Sequence, residues 1–148
     1  MIHLSYDLAV RHDLSVDRLV AVNQFGSRNA NVTSVEFPVE RRAIREVSVE
    51  LYEFDRLVAG EEATTQISLA GYVNEGIQTL LTFAMRFPRE QLHRPIVALR
   101  SRCSGSFGHH CVPVLDKNGV LRNFDLKWLC SQFAPHYRFL VSRKKPLW

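Results

Sequence analysis

The apolar positions in the first part of the chain predict helices. Both 4–12 and 15–24 place apolar side chains three to four residues apart, the spacing of one helix face. Ser15 begins the second run, and serine caps helix N-termini because its hydroxyl accepts a free backbone N–H. Asp17 adds a negative charge in the first turn, where the helix dipole favours one. We therefore expect two short helices packed as a hairpin.

The middle of the chain combines one predicted strand with two predicted helices. Residues 32–39 alternate apolar and polar side chains and contain Pro38, which favours an edge strand. Residues 40–59 fit a strand as well as a helix, but the helical match is longer. We expect a helix there that stops at Gly60. A broad apolar face over 72–87 predicts a further helix.

The C-terminal third has mainly the pattern of strands. Residues 95–99 predict a short buried strand, and 111–124 predict a hairpin that turns at Gly119, where glycine permits a positive φ. Residues 125–133 predict a helix and 137–141 a last strand. The expected fold is α+β: a mainly helical N-terminal half, and a small, mostly antiparallel sheet with a packed helix in the C-terminal half.

Length and composition fit a single domain over residues 1–148. The apolar fraction is 46% and the charged fraction 23%, which are ordinary values for a globular protein. The first residues lack the basic and apolar segments of a secretory signal, and no apolar run approaches the roughly 20 residues of a membrane helix. Three cysteines, an odd number, argue against a disulfide framework. We therefore predict a cytoplasmic protein without a membrane partner.

Charge divides the chain into two unlike halves. Residues 1–80 contain seven Arg or Lys and twelve Asp or Glu, a net charge of −5, whereas residues 81–148 contain twelve and three, a net charge of +9. A basic segment with interspersed aromatic side chains attracts polyanions such as nucleic acids. The predicted nucleic-acid-binding or anion-binding residues are Arg94, Arg100, Arg102, Ser104, Ser106, Arg138, Arg143, Lys144, Lys145 and Trp148.

One loop of the basic half, residues 100–111, has the composition of an anion site. Its two arginines, three serines and two glycines can offer guanidinium groups, hydroxyls and backbone N–H groups to a phosphate. The loop lacks the Gly-Lys-Ser/Thr ending of a P-loop, so the indication comes from composition alone.

The same loop contains candidate metal ligands and nucleophiles: Cys103, His109, His110 and Cys111. No Cys-x2-Cys pair accompanies them, so we assign no metal and no cofactor. Residues 108–120 resemble the histidine hairpin of papain-like peptidases, which implies a cysteine nucleophile. In that family the nucleophile lies well upstream, whereas no cysteine precedes Cys103 here.

A second resemblance lies near the N-terminus. Residues 8–23 resemble a helix-turn-helix motif, which implies that the second helix enters a major groove. Asp13 and Asp17 would then repel the phosphates. We therefore favour a packed helical hairpin without a role in DNA recognition.

These observations predict a non-enzymatic binding protein whose basic C-terminal half contacts nucleic acid or an acidic partner. One alternative is a self-assembling structural or adaptor protein, in which the acidic half of one copy meets the basic half of another. The other alternative is a thiol-dependent or metal-dependent enzyme that uses the Cys103–Cys111 loop.

Overall fold

The structure, a computed structural model, describes residues 4–104 and 109–145. Of these residues 37% lie in strands and 23% in helices, so the protein is mainly β. The strands are β1 Ser5–Val10, β2 Ser27–Arg28, β3 Arg45–Glu53, β4 Val58–Ala59, β5 Tyr72–Asn74, β6 Ile96–Val97, β7 Cys103–Ser104, β8 His110–Asn118, β9 Leu121–Trp128, β10 Gln132–Phe133 and β11 Arg138–Arg143. The helices are α1 Val16–Asn23, α2 Gly60–Leu69, α3 Ile77–Arg86 and α4 Glu90–His93.

A mixed sheet forms the centre of the molecule. Seven strands follow one another in the order β1-β3-β11-β6-β8-β9-β2, while β5 pairs with β11 and β7 with β8. The pairs β6–β11 and β2–β9 are parallel, and the other pairs of this sheet are antiparallel. A separate ribbon joins β4 to β10.

Apolar side chains cover both faces of the sheet. On one face α1 and α3 contribute Leu19, Leu81 and Phe83 to a core cluster. On the other face a second cluster contains Ile67 of α2 and Phe133 of the ribbon. Strands β8 and β11 lie between these layers, so their residues are buried in runs rather than in alternation.

The prediction of a mainly helical N-terminal half with a small sheet is wrong. Residues 4–12 contribute β1 instead of a first helix, so the segment that resembles a helix-turn-helix contains only its second helix. Residues 45–53 form β3, with hydrogen-bonded neighbours on both sides, β1 and β11. The alternation of Val47, Val49 and Leu51 with polar residues is the pattern of a strand, and the pairing of β3 with β1 and β11 selects the strand over the helix.

Three further segments differ from their predictions. Residues 32–39 form turns and loop rather than a strand. Two hydrogen bonds between Ser34 and Asp17 hold this segment against the start of α1. Gly60 begins α2 instead of ending a helix. Residues 125–133 are not a helix, because the ladder between β8 and β9 continues to Trp128.

Other local predictions are confirmed. Ser15 caps α1, since its hydroxyl accepts the backbone N–H of Arg18 at 3.2 Å. The hairpin of β8 and β9 turns at Gly119, whose φ is +64°. The strand predicted over 137–141 is β11.

Among the described residues, no helix has the length and apolarity needed to cross a membrane.

We predict that Gly60→Ala destabilises the fold. A Cβ at this buried position would lie 2.3 Å from the backbone oxygen of Leu129 and 2.5 Å from its Cδ1. Relief requires backbone movement, and we expect the free energy of unfolding, measured in urea, to fall by about 3 kcal/mol. The control is Gly71→Ala, because a Cβ at Gly71 would meet open space. Its cost comes only from backbone strain at φ +93°, and we expect the free energy of unfolding to fall by about 1–2 kcal/mol. A smaller loss at Gly60 than at Gly71 would contradict the packing described here.

Candidate anion site

The acidic half of the chain neutralises most of the predicted anion-binding arginines. Three of them form ion pairs with glutamates of the N-terminal half: Arg94 with Glu53, Arg102 with Glu61, and Arg143 with Glu50. Part of the contrast in charge along the sequence is therefore met within one folded chain.

Other basic residues of the same prediction have structural contacts. Arg138 is buried, pairs with Glu90 at 3.2 Å and donates to the backbone oxygens of Glu90 and Arg94. Lys144 donates to the backbone oxygen of Ser68 at 2.8 Å. These cations hold elements together, which leaves them less available to a ligand.

The remaining predicted residues are dispersed. Ser104 and Lys145 are exposed, and Ser106 and Trp148 lie outside the described residues. Arg100 is also exposed, and of the predicted residues that the structure describes it alone lines the cleft described below.

Cys103 and Cys111 face each other in neighbouring strands, and both are buried free thiols. Burial, followed by the neighbouring Cys111, raises the pKa of Cys103 to about 11. Burial also raises the pKa of Cys111. At neutral pH both side chains are protonated, whereas nucleophilic attack and metal binding require the thiolate.

The two histidines of this loop are close to the thiols along the ladder but, unlike them, are exposed. His110 is exposed opposite Ser104 in the β7–β8 ladder, and His109 stacks on Trp128 with ring centroids 5.2 Å apart. No group of three His, Cys, Asp or Glu side chains suited to a metal occurs among the described residues.

A cleft of about 320 Å³ opens beside the N-terminus of α3. Four separate parts of the chain form its walls: the end of β1, the segment leading into β3, the start of α3 and the loop after β6. Its lining includes His12, Arg42, Arg45, Glu75, Arg100 and Ser101. The fold thus brings Arg100 of the basic half next to two arginines of the acidic half.

The N-terminus of α3 forms one wall of this cleft. The N-cap is Gly76, and the carboxylate of Glu75 just before it accepts a hydrogen bond from Thr79 Oγ1 in the first turn, so it offsets part of the positive end of the helix dipole. The backbone N–H of Ile77 donates to Ser101 Oγ at 2.7 Å, which fixes the loop carrying Arg100. A Cβ on Gly76 would lie 3.0 Å from the same Oγ, so glycine permits this close approach.

A buried carboxylate, Glu75, fixes the floor of the cleft. Its Oε1 accepts hydrogen bonds from Arg45 Nη2 at 2.6 Å and Thr79 Oγ1 at 2.9 Å, and its Oε2 accepts one from Ser142 Oγ at 2.7 Å. Burial by itself would raise the pKa of Glu75, but the hydrogen bonds from Ser142 and Arg45 and the charge of Arg45 outweigh it and lower the pKa. The carboxylate is therefore ionised and fully occupied by its protein partners.

His12 lies in the wall next to this carboxylate. It is 5% exposed, and its Nδ1 lies 2.9 Å from Gln78 Oε1. Burial lowers the pKa of His12; the hydrogen bond to Gln78 opposes that effect, and the charges of Arg42 and Arg45 reinforce it. The ring is therefore neutral near pH 7, and its buried Nε2 has no hydrogen-bond partner among residues 4–104 and 109–145.

The exposed charged side chains of the cleft are Arg42, Arg100 and Glu40. Neither arginine forms an ion pair with a described residue, although Glu40 also lies on the lining. Two unpaired guanidinium groups and a helix N-terminus favour an anionic group between them.

Of the residues that line this cleft, only Arg100 and Ser101 belong to the loop predicted from the sequence as an anion site. Arg42 and Arg45 lie in the segment 40–59 that was predicted to be a helix, and His12 and Glu75 belong to no recognisable motif. One usable signal was Glu75-Gly76 directly before the strongly apolar helix α3, because a charged residue at such a boundary is often buried with partners or functional.

Comparison with known proteins assigns neither a family nor a function. No protein-family model, curated protein or solved structure was found to match the chain. Its function is therefore argued from the chemistry of the cleft.

We predict that Glu75→Gln destabilises the protein. The amide keeps the shape of the side chain but leaves Arg45 without its counter-charge, so the free energy of unfolding falls by about 3 kcal/mol at neutral pH. The control is Glu61→Gln, which removes an exposed pair with Arg102 and costs less than about 1 kcal/mol.

This stabilisation by Glu75 depends on pH with a definite sign. Because folding lowers the pKa of Glu75, its contribution is complete above the unfolded value of 4.5 and is lost as the pH falls through the folded value. Urea titrations of the wild type and Glu75→Gln should converge in strongly acidic solution. A difference that persists there unchanged would refute this role of the carboxylate.

Proposed function

We propose that this protein is a binding protein for a small anion, which places a phosphate or carboxylate group in the cleft at the start of α3. The observation that carries the proposal is a pair of exposed arginines, Arg42 and Arg100, that line one cleft and form no ion pair with a described residue. Guanidinium groups without a carboxylate partner favour an anionic ligand beside them.

The charges of the cleft support an anion. Arg42 and Arg100 contribute exposed guanidinium groups, which bind phosphate and carboxylate oxygens in a bidentate manner. The lining contains three arginines and two glutamates, Glu40 and Glu75, so its net charge is +1. Glu75 is already paired with Arg45 at 2.6 Å, which leaves Arg42 and Arg100 against Glu40.

The size of the cleft supports a compact ligand. A volume near 320 Å³ is at the lower end of the range for small-molecule sites. Nucleic acid or an acidic protein surface, the partners predicted from the sequence, would need an extended basic face. Four of the twelve cations of residues 81–148 are held in ion pairs, among them Arg94–Glu53 and Arg143–Glu50, which favours the narrower proposal.

The same ion pairs reduce the charge available for contacts between copies of the protein. Acidic and basic segments complement each other inside one chain, which leaves less charge for the contact between copies that the sequence raised as an alternative. The free thiols support a reducing compartment and therefore, as part of this proposal, a cytoplasmic location.

The proposal is tested by the affinity for inorganic phosphate and for acetate in isothermal titration calorimetry. Arg100→Met keeps the length of the side chain but removes the guanidinium group, and we expect affinity for the bound anion to fall at least about tenfold. The matched control is Arg89→Met, which removes an exposed arginine outside the cleft and should leave affinity unchanged.

Two results would contradict the proposal. One is the absence of binding by either anion at millimolar concentration. The other is tight, steeply salt-dependent binding of a fluorescent oligonucleotide that Arg100→Met does not weaken, which would restore the wider nucleic-acid prediction.

A further inference from the structure

We infer that the ligand of the cleft carries an ammonium group in addition to its anionic groups, and that the carboxylate of Glu40 binds this ammonium. The inference rests on the proposed function. It adds the chemical class of the ligand, which is a small amino-substituted anion with a net negative charge.

The observation that carries this inference is an exposed carboxylate on the lining of the cleft. Glu40 is exposed and shares the lining with Arg42 and Arg100, yet it forms no ion pair with a residue that the structure describes. A ligand with negative groups alone would be repelled by this carboxylate. A ligand that places a positive group against Glu40 gains an attraction there instead.

The backbone presents Glu40 and Arg42 to the cleft together. They belong to the segment 38–44, which has no regular secondary structure, and both line the cleft, whereas Arg41 between them does not. The backbone N–H of Arg42 donates to the backbone oxygen of His12 at 2.8 Å, which holds this segment in place.

Arg100 reaches the same space from a different part of the chain. It lies in the loop after β6, and its backbone N–H donates to the backbone oxygen of Glu75 at 3.2 Å. The cleft therefore offers two guanidinium groups and one carboxylate to a molecule bound within it.

The second glutamate of the lining does not compete for the ammonium. Glu75 is 1% exposed, and its oxygens already accept hydrogen bonds from Arg45, Thr79 and Ser142. Of the two glutamates that the described part of the chain contributes to the lining, only Glu40 is exposed. A separate cation would meet more positive than negative exposed charge here, so the ammonium belongs to the anion itself.

The exposed charges also indicate the net charge of the ligand. Arg42, Arg100 and Glu40 are complemented by two negative charges and one positive charge. Two sources share this chemistry in a compact molecule. One is an amino dicarboxylic acid such as glutamate, and the other is the phosphate monoester of an amino alcohol, such as phosphoethanolamine.

The test compares ligands that differ in the ammonium group. Glutamate and glutarate form one pair, and phosphoethanolamine and ethyl phosphate form the other. In calorimetric titrations of the wild type at neutral pH, we expect the amino member of at least one pair to bind about five- to tenfold more tightly, which lies between the values of an exposed ion pair and of a hydrogen bond to a charged group. The pair that shows the preference identifies the source.

A charge-removing variant assigns the preference to Glu40. Glu40→Gln keeps the size of an exposed side chain but removes its charge. We expect the preference to disappear, because the amino member binds more weakly while the plain anion binds equally or better. The matched control is Glu46→Gln, which removes an exposed carboxylate of β3 outside the lining and should retain the preference.

The outcomes distinguish this inference from the proposed function. Equal binding of both members in both pairs by the wild type would overturn the inference while leaving the anion site intact. A preference that survives in Glu40→Gln, or that is lost equally in Glu46→Gln, would also overturn it. Failure of all four ligands to bind, together with phosphate and acetate, would refute the anion site itself.

Discussion

The buried carboxylate of Glu75 is the interaction on which the cleft depends. It joins Arg45 at the start of β3, Thr79 in the first turn of α3 and Ser142 in β11, so one side chain fixes the helix against two neighbouring strands. A buried charge that loses its partner costs several kcal/mol, so the loss of one of these contacts destabilises the whole arrangement. The backbone of Glu75 adds bonds to Leu140 and Arg100, and the latter places the loop that completes the cleft.

The charge contrast between the two halves has a different meaning in the folded protein. Pairs such as Arg102–Glu61 join segments distant in sequence, so much of the basic half serves the fold. Exposed pairs of this kind contribute little stability individually, and their main effect here is to remove charge from the surface offered to a partner. Arg100 and Arg42 are exceptions, since neither pairs with a carboxylate of the described residues.

The sequence was informative where a local interaction decides the structure. The cap at Ser15 and the turn at Gly119 follow from side-chain or backbone chemistry within a few residues, and both were predicted. The strand β3 depends instead on pairing with β1 and β11, which periodicity does not show. The cleft was hidden for the same reason. His12 and Arg100 are brought together only by the topology of the sheet, so no spacing in the chain relates them.

We propose above all that the cleft at the start of α3 binds a small anion, and backbone amide NMR during a phosphate titration tests this most directly. We expect saturable chemical-shift changes at Gly76, Ile77 and Ser101, which line the cleft. The absence of any shift at millimolar phosphate, or shifts confined to residues outside the cleft, would contradict the proposal.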